Sequence, residues 1–464
     1  MNNLSCYGKK LQHLCTNSWP ASKLFRANPF LIHIIYFLSL SFLGFGILKS
    51  LKPRTPFPPR NIDLFFTSVS AATVSSMSTL EMELFSNSQL IVLTVLMFIG
   101  GEIFTSMAGL HLKRFKIVRS EGKIESLESN HMSSSSLDHQ IELGVEARFE
   151  PRPDATKFLG FVVLGYILVV HIFGILSVLI YLAVVESGKN VLKRKGIETF
   201  TFAVFTVVST FASCGFVPTN ENMMVFRKNS GLLLVLIPQV LFGNTLFPVC
   251  LRFIVWVLGK KMKKCEAECL LKNRSEVAGY FHFLGRVHCV CLVGTVMGFV
   301  GIGFVLFWAM EWDSVGLSGL NGYEKVVGVI FECVNARHAG ETIVDLSTVA
   351  PAIMVFFVAM MYLPPYTSFV PIISNSDDKE QIIPAELQLR RNIKEKTRKC
   401  VVTKNLILSQ LSYLVIFITL ICITERKSLK EDPINFSVLN ITIEVIRGCS
   451  TGQPEEHKNQ RVAG

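Results

Sequence analysis

The sequence predicts an all-α polytopic membrane protein whose helices come as tandem repeats of long helix, short helix, long helix. Three observations carry that expectation: a shortage of charge, apolar runs of spanning length, and two kinds of connection alternating between the runs. Half of the 464 residues are apolar and only 17% are charged, against about 25% in an ordinary soluble domain. A soluble chain of this length would divide into domains that each need a polar skin, and the charges to cover them are missing. The apolar residues come in long runs rather than in the alternation of an outer-membrane barrel.

Seven runs reach spanning length, at 30–48, 89–112, 158–185, 231–258, 287–310, 349–372 and 401–424; a helix crosses a bilayer in about 20 residues. Four polar, basic stretches (1–29, 113–157, 259–286 and 373–404) hold 27 of the 46 Lys and Arg residues. The positive-inside rule places them, and the N-terminus, in the cytoplasm. This locates the net charge of +11 without a nucleic-acid partner. The twelve cysteines show no paired metal spacing and read as small core residues. Residues 1–29 have no apolar stretch for a cleavable signal.

The other connections each hold an apolar stretch too short to cross, at 61–74, 197–211, 323–336 and 434–446. Such stretches read as re-entrant segments, which leave and return on the outer side. The chain therefore divides into a cytoplasmic arm (1–29), unit A (30–112), a linker (113–157), unit B (158–258), a basic linker (259–286), unit C (287–372), a linker (373–400), an incomplete unit D (401–446) and a polar tail (447–464). Four membrane–pore–membrane units around a pseudo-fourfold axis would bring their re-entrant loops together at one pore.

The residues that follow the short stretches are Ser75-Ser76-Met77-Ser78-Thr79, Ala212-Ser213-Cys214-Gly215-Phe216 and Arg337-His338-Ala339-Gly340-Glu341. In this register Ser78, Gly215 and Gly340 share one position. Backbone inside a membrane is left irregular only where it lines a cavity, and a selectivity filter is such a cavity, with carbonyls replacing an ion's hydration shell. Glycine lets carbonyls turn toward the axis; serine adds a hydroxyl. The candidate filter residues are thus Ser75, Ser76, Met77, Ser78, Ser213, Cys214, Gly215, His338, Ala339 and Gly340.

Thr67-Ser68-Val69-Ser70, Ser75 to Glu83, Gly100-Gly101-Glu102, Ser213 to Asn220, Asn335 to Glu341, Tyr362-Leu363-Pro364-Pro365-Tyr366 and Asn440 to Ile446 resemble plant high-affinity potassium transporters, the HKT family of the Trk/Ktr/HKT superfamily. The resemblance covers roughly residues 20–446. It implies a monomeric pore of four units, a homodimer, a plasma-membrane location, and passive transport of Na+ or K+ with no other cofactor. Serine at the first filter position, here Ser78, is associated in that family with sodium selectivity. A break in the third unit's second helix is associated with gating, which makes Pro364 and Pro365 the gate candidates.

Glu81, Glu83 and Glu341, with Glu221 and Asp345, follow the filter stretches and read as an outer mouth that concentrates cations or as a solvated rim. Arg337 and His338 are expected to turn behind the filter, Glu102 is an intramembrane carboxylate, and Arg252 reads as a snorkelling side chain. Asn435 heads an outer glycosylation sequon; a second, at Asn440, falls within the fourth short stretch. An enzyme is not expected, because no HExxH, P-loop or nucleophile elbow is present. Inverted repeats are disfavoured by the common orientation of the units. After Ile446 the chain departs from the family, reading Arg447-Gly448-Cys449-Ser450 where a filter and a last helix are expected. The alternative expectations are therefore a truncated non-conducting isoform that associates with full-length copies, or a K+/Na+ transporter.

Overall fold

The computed structural model describes residues 29–55, 58–112, 153–262, 265–272, 280, 282–363 and 366, with Phe417, Ile418, Ile421, Thr424, Ile441, Thr442, Val445 and Ile446. Pro364, Pro365, Asn435 and the tail 447–464 lie outside them. Regular structure among the described residues is helical throughout.

Unit A comprises α1 (Pro29–Ser50), the short α2 (Asn61–Thr73), α3 (Asn87–Gly100) and α4 (Glu102–Leu112). Unit B comprises α5 (Pro153–Val184), α6 (Glu186–Arg194), the short α7 (Thr199–Phe211), α8 (Ser230–Gly243) and α9 (Phe247–Met262). After α10 (Cys265–Lys272), unit C has α11 (Arg286–Met310), the short α12 (Gly322–Asn335) and α13 (Pro351–Tyr362). The entry points are specified locally. Ser86 and Gln89 form a capping box at the start of α3, Asn321 and Glu324 form another at α12, and Pro351 opens α13, where its missing N–H costs nothing.

Among the described residues three helices, in α1, α5 and α11, are long and apolar enough to cross a membrane alone. Their outward faces are apolar: Leu43 is 62% exposed, Phe173 69% and Val290 67%. Apolar exposure on this scale suits lipid rather than water.

The runs 89–112 and 231–258, expected as single spans, are each broken. Helices α3 and α4 meet at 53°, and α8 and α9 at 79°. The cause is local. Gly100-Gly101 and Gly243-Asn244 end their helices with residues that hold a helix poorly. Pro238, by contrast, lies inside α8 without ending it. In unit C the second helix ends at Tyr362, just before the two prolines. Counted from the first residue of α3, α8 and α13, the fourteenth positions are Gly100, Gly243 and Pro364.

The second helices of units A and B each pack against the short helix of their own unit and that of the next. Helix α3 touches α2 and α7, and α8 touches α7 and α12. Leu90, Leu93, Phe205 and Cys214 share one core between units A and B, while Leu233, Leu236, Val329 and Phe331 share another between units B and C.

Candidate functional site: three loops seated on helix breaks

The short helices α2, α7 and α12 all deliver their C-terminal ends to the three candidate loops. Each loop closes its helix with the same backbone bond across five residues: Ser75 N to Ser70 O at 3.0 Å, Cys214 N to Ser209 O at 2.9 Å and Gly340 N to Asn335 O at 2.8 Å. Each helix end carries about −0.5 of an elementary charge, and the last turns of α2 and α7 contain no basic residue. Each loop thus sits at the partial negative charge of its own helix end.

The backbone of the loops is left-handed at Val74, Ser76, Ser213, Gly215 and Gly340, with φ of 57°, 58°, 60°, 74° and 75°. The residue at positive φ beyond the cap of α2 is Ser76, and Ser78 does not repeat the left-handed backbone of Gly215 and Gly340. A non-glycine residue there costs roughly 1–2 kcal/mol. Counting in sequence missed this because the loops advance differently after their helices. Ser78 lies two residues further on, exposed, its Oγ donating to Leu80 O at 2.7 Å and accepting from Leu80 N at 3.2 Å. Ser75 donates to Ser70 Oγ at 3.0 Å, and Ser70 Oγ also accepts from Met77 N at 2.9 Å, so α2 holds its loop through one serine.

Beneath the loops lie the breaks. A β-carbon on Gly100 would overlap the carbonyl of Ala72 at the end of α2, and one on Gly243 would overlap the carbonyl of Phe211 at the end of α7. Two units therefore press a glycine of the second helix onto the last turn of the short helix. Side chains add further ties. Asn244 Nδ2 donates to Ser213 Oγ at 3.0 Å. Thr245 bonds His338 Nε2 at 2.5 Å, across from unit B to unit C. His338 Nδ1 is 2.6 Å from Val334 O, so its buried ring is occupied by the protein on both nitrogens. Arg337 donates to Met360 O at 2.7 Å and to Leu363 O at 3.4 Å, and its guanidinium lies 5.2 Å from the Phe299 ring.

Glu341 is not on an exposed rim. It is wholly buried, and its carboxylate accepts from Thr210 Oγ1 of α7 at 2.6 Å. Its partner comes from another unit, which linear spacing does not reveal. Glu332, also buried, accepts from Ile343 N at 2.9 Å and holds the strand leaving the third loop. The sequence offered a signal for it, a carboxylate in the middle of an apolar helix.

Glu81 and Glu83 follow the first loop and are joined to unit B. Asn220 Nδ2 donates to Glu81 at 2.8 Å, Asn220 N donates to Glu83 at 3.1 Å, and Glu83 N donates to Asn220 Oδ1 at 3.1 Å. Lys195 forms ion pairs with both Glu83 and Glu221. Partial burial disfavours the charge on Lys195, but its bonds to Glu221 and Glu83 outweigh that and hold its pKa above the usual value. The bond from Lys195 leads the causes that lower the pKa of Glu221. Units B and C are joined in turn by Met223 N donating to Thr342 O at 3.1 Å.

His282 is buried beside Glu102 of unit A, Phe247 of unit B and Tyr366. Its Nδ1 is 2.6 Å from Tyr366 Oη, its Nε2 is 3.9 Å from the carboxylate of Glu102, and its ring is 5.3 Å from that of Phe247. Glu102 thus opens α4 rather than lying mid-helix. Arg252, expected to snorkel, instead donates to Leu284 O at 2.8 Å and anchors the entry to α11.

Residues 10–452 match the family model described as TrkH, cation transport protein. The chain is 50% identical to the sodium transporter HKT1 of Arabidopsis thaliana, over 89% of this chain and 82% of that protein. The chain belongs to the plant HKT branch of the TrkH cation-transport family. It is also 44% identical to the cation transporter HKT1;3 of Oryza sativa, over 91% of this chain and 80% of that one. The potassium transporter TrkH of Vibrio parahaemolyticus aligns at a TM-score of 0.42 and 15% identity, over 72% of this chain and 56% of that chain, too little to carry an argument. This HKT member is a multi-pass transport protein and not an enzyme. Its ion is cargo, and among the described residues no cluster of His, Cys, Asp and Glu is arranged to hold a metal.

Proposed function

We propose that the transporter passes Na+ passively through a ring of filter loops, with K+ disfavoured by serine in the first loop. The ring is built on four membrane–pore–membrane units about a pseudo-fourfold axis, the fourth incomplete in this chain, in a homodimer at the plasma membrane with the N-terminus inside. Three filter strands are Ser75 to Ser78, Ser213 to Gly215 and His338 to Gly340. The observation that carries this reading is that three short helices end in loops closed by the same backbone bond, in a relative of a sodium transporter.

The chemistry is electrostatic. A cation entering between the loops exchanges water for carbonyl oxygens, and the short-helix ends stabilise its charge. In the sequence register Ser78 adds a side chain where Gly215 and Gly340 carry none, which breaks the symmetry a dehydrated K+ needs and leaves Na+ with a hydroxyl ligand. Pro364 and Pro365 form the gate, because two successive residues there lack the amide that continues a helix. The outer carboxylates Glu81 and Glu83 raise local cation concentration, tempered by Lys195.

The test is the Ser78→Gly variant, with reversal potentials measured in mixed Na+ and K+. The Na+ to K+ permeability ratio is expected to fall about tenfold, equivalent to roughly 1.4 kcal/mol. An unchanged ratio in a conducting variant rejects the role of Ser78. The left-handed Ser76 supplies the comparison: Ser76→Gly relieves backbone strain without removing the Ser78 hydroxyl, and is expected to leave the ratio within twofold.

A further inference from the structure

Helix α13 ends at Tyr362, two residues before a proline that leaves a defect in its hydrogen bonding. In a continuing helix the carbonyl of Met360 would accept from the amide of residue 364, and residue 364 is proline, which has none. The described structure supplies a donor from elsewhere: the Nη1 of Arg337, 2.7 Å from Met360 O, with Nη2 at 3.4 Å from Leu363 O. Arg337 belongs to the third loop, three residues before Gly340. A cation near a helix C-terminus also meets the negative end of the helix dipole, and the Phe299 ring covers the guanidinium at 5.2 Å.

We propose that Arg337 replaces the amide that Pro364 lacks, tying the third loop to the break in the third unit's second helix so that loop and break move as one body. Arg337 is a positioning residue. It fixes where Gly340 presents its carbonyl by anchoring the loop to a helix end, and it carries any displacement of that end to the loop. The guanidinium geometry suits the task, since one planar fork reaches two carbonyls three residues apart. The proposal rests on the third loop being a filter strand.

A double-mutant cycle of Arg337→Gln with Pro364→Ala in the full chain tests it, read by melting temperature in detergent and by the Na+ to K+ permeability ratio. Arg337→Gln alone is expected to lower the melting temperature and to move the ratio at least threefold toward unity. With Pro364→Ala, which returns an amide to position 364, both effects of Arg337→Gln should shrink by half or more. Arg337→Lys, with one donor position instead of a fork, should fall between the wild type and Arg337→Gln. Equal effects of Arg337→Gln in both backgrounds overturn the proposal. Thermal coupling without any change in ratio would keep the tether but reject the third loop as a filter strand, and no coupling in either readout rejects the tether itself. If Arg337→Gln does not fold, the cycle is run with Arg337→Lys, and additivity there is equally decisive against the proposal.

Discussion

Gly243→Ala is expected to abolish cation uptake and to destabilise the protein by about 3 kcal/mol, the upper end for overpacking a tight site. The added carbon meets the oxygen, carbonyl carbon and Cα of Phe211. These are backbone atoms, which cannot rotate away as a side chain would. Relief requires α8 and the end of α7 to separate, and that end carries the turn that places Ser213 and Gly215. Gly100→Ala is expected to act alike in unit A, where the obstacle is the backbone of Ala72. Gly298 and Gly301 in α11 have open space around the same construction; alanine there should leave uptake unchanged and raise stability by up to about 1 kcal/mol through helix propensity. Melting temperatures and tracer uptake of the four variants check the contrast. Equal tolerance at Gly243 and Gly298 would mean that the short helices do not rest on the breaks.

Glu332→Leu is expected to cost about 2–3 kcal/mol, because it strands the buried amide of Ile343 that Glu332 now satisfies. The loss falls on the strand that leaves Gly340, so uptake should drop with stability. Glu332→Gln keeps an acceptor oxygen in the same place and should recover most of both. Expression-normalised uptake and thermal melting separate the two variants; a leucine variant as stable as the glutamine variant would show that the bond to Ile343 carries no load.

The short helices were legible because their signal is local. Apolar stretches expected at 61–74, 197–211 and 323–336 are too short to span, and they form helices at Asn61–Thr73, Thr199–Phe211 and Gly322–Asn335. The bends in the second helices were not read, although Gly100-Gly101 and Gly243-Asn244 carried a signal for them. Hydropathy continues unbroken across both pairs, and only the contact with the short helix shows why glycine is required. The backbone of the first loop was not legible for a related reason. Sequence aligned a serine with two glycines, whereas backbone geometry depends on how many residues each loop spends leaving its helix, and that put Ser76 in the left-handed position. Glu341 was placed by its neighbours in sequence; its hydroxyl partner, Thr210, is 131 residues away. Contacts between units, such as Thr245 with His338 and Lys195 with Glu83, have no linear spacing to reveal them.

Passage of Na+ through loops seated on helix breaks is the central proposal. The most direct test is tracer sodium uptake by the purified chain in sealed vesicles, measured with excess unlabelled Na+ or K+ outside and repeated with Gly243→Ala. The expected result is uptake that excess Na+ suppresses strongly, that equal K+ barely affects, and that Gly243→Ala eliminates. Equal suppression by K+, or uptake that survives in Gly243→Ala, would contradict it.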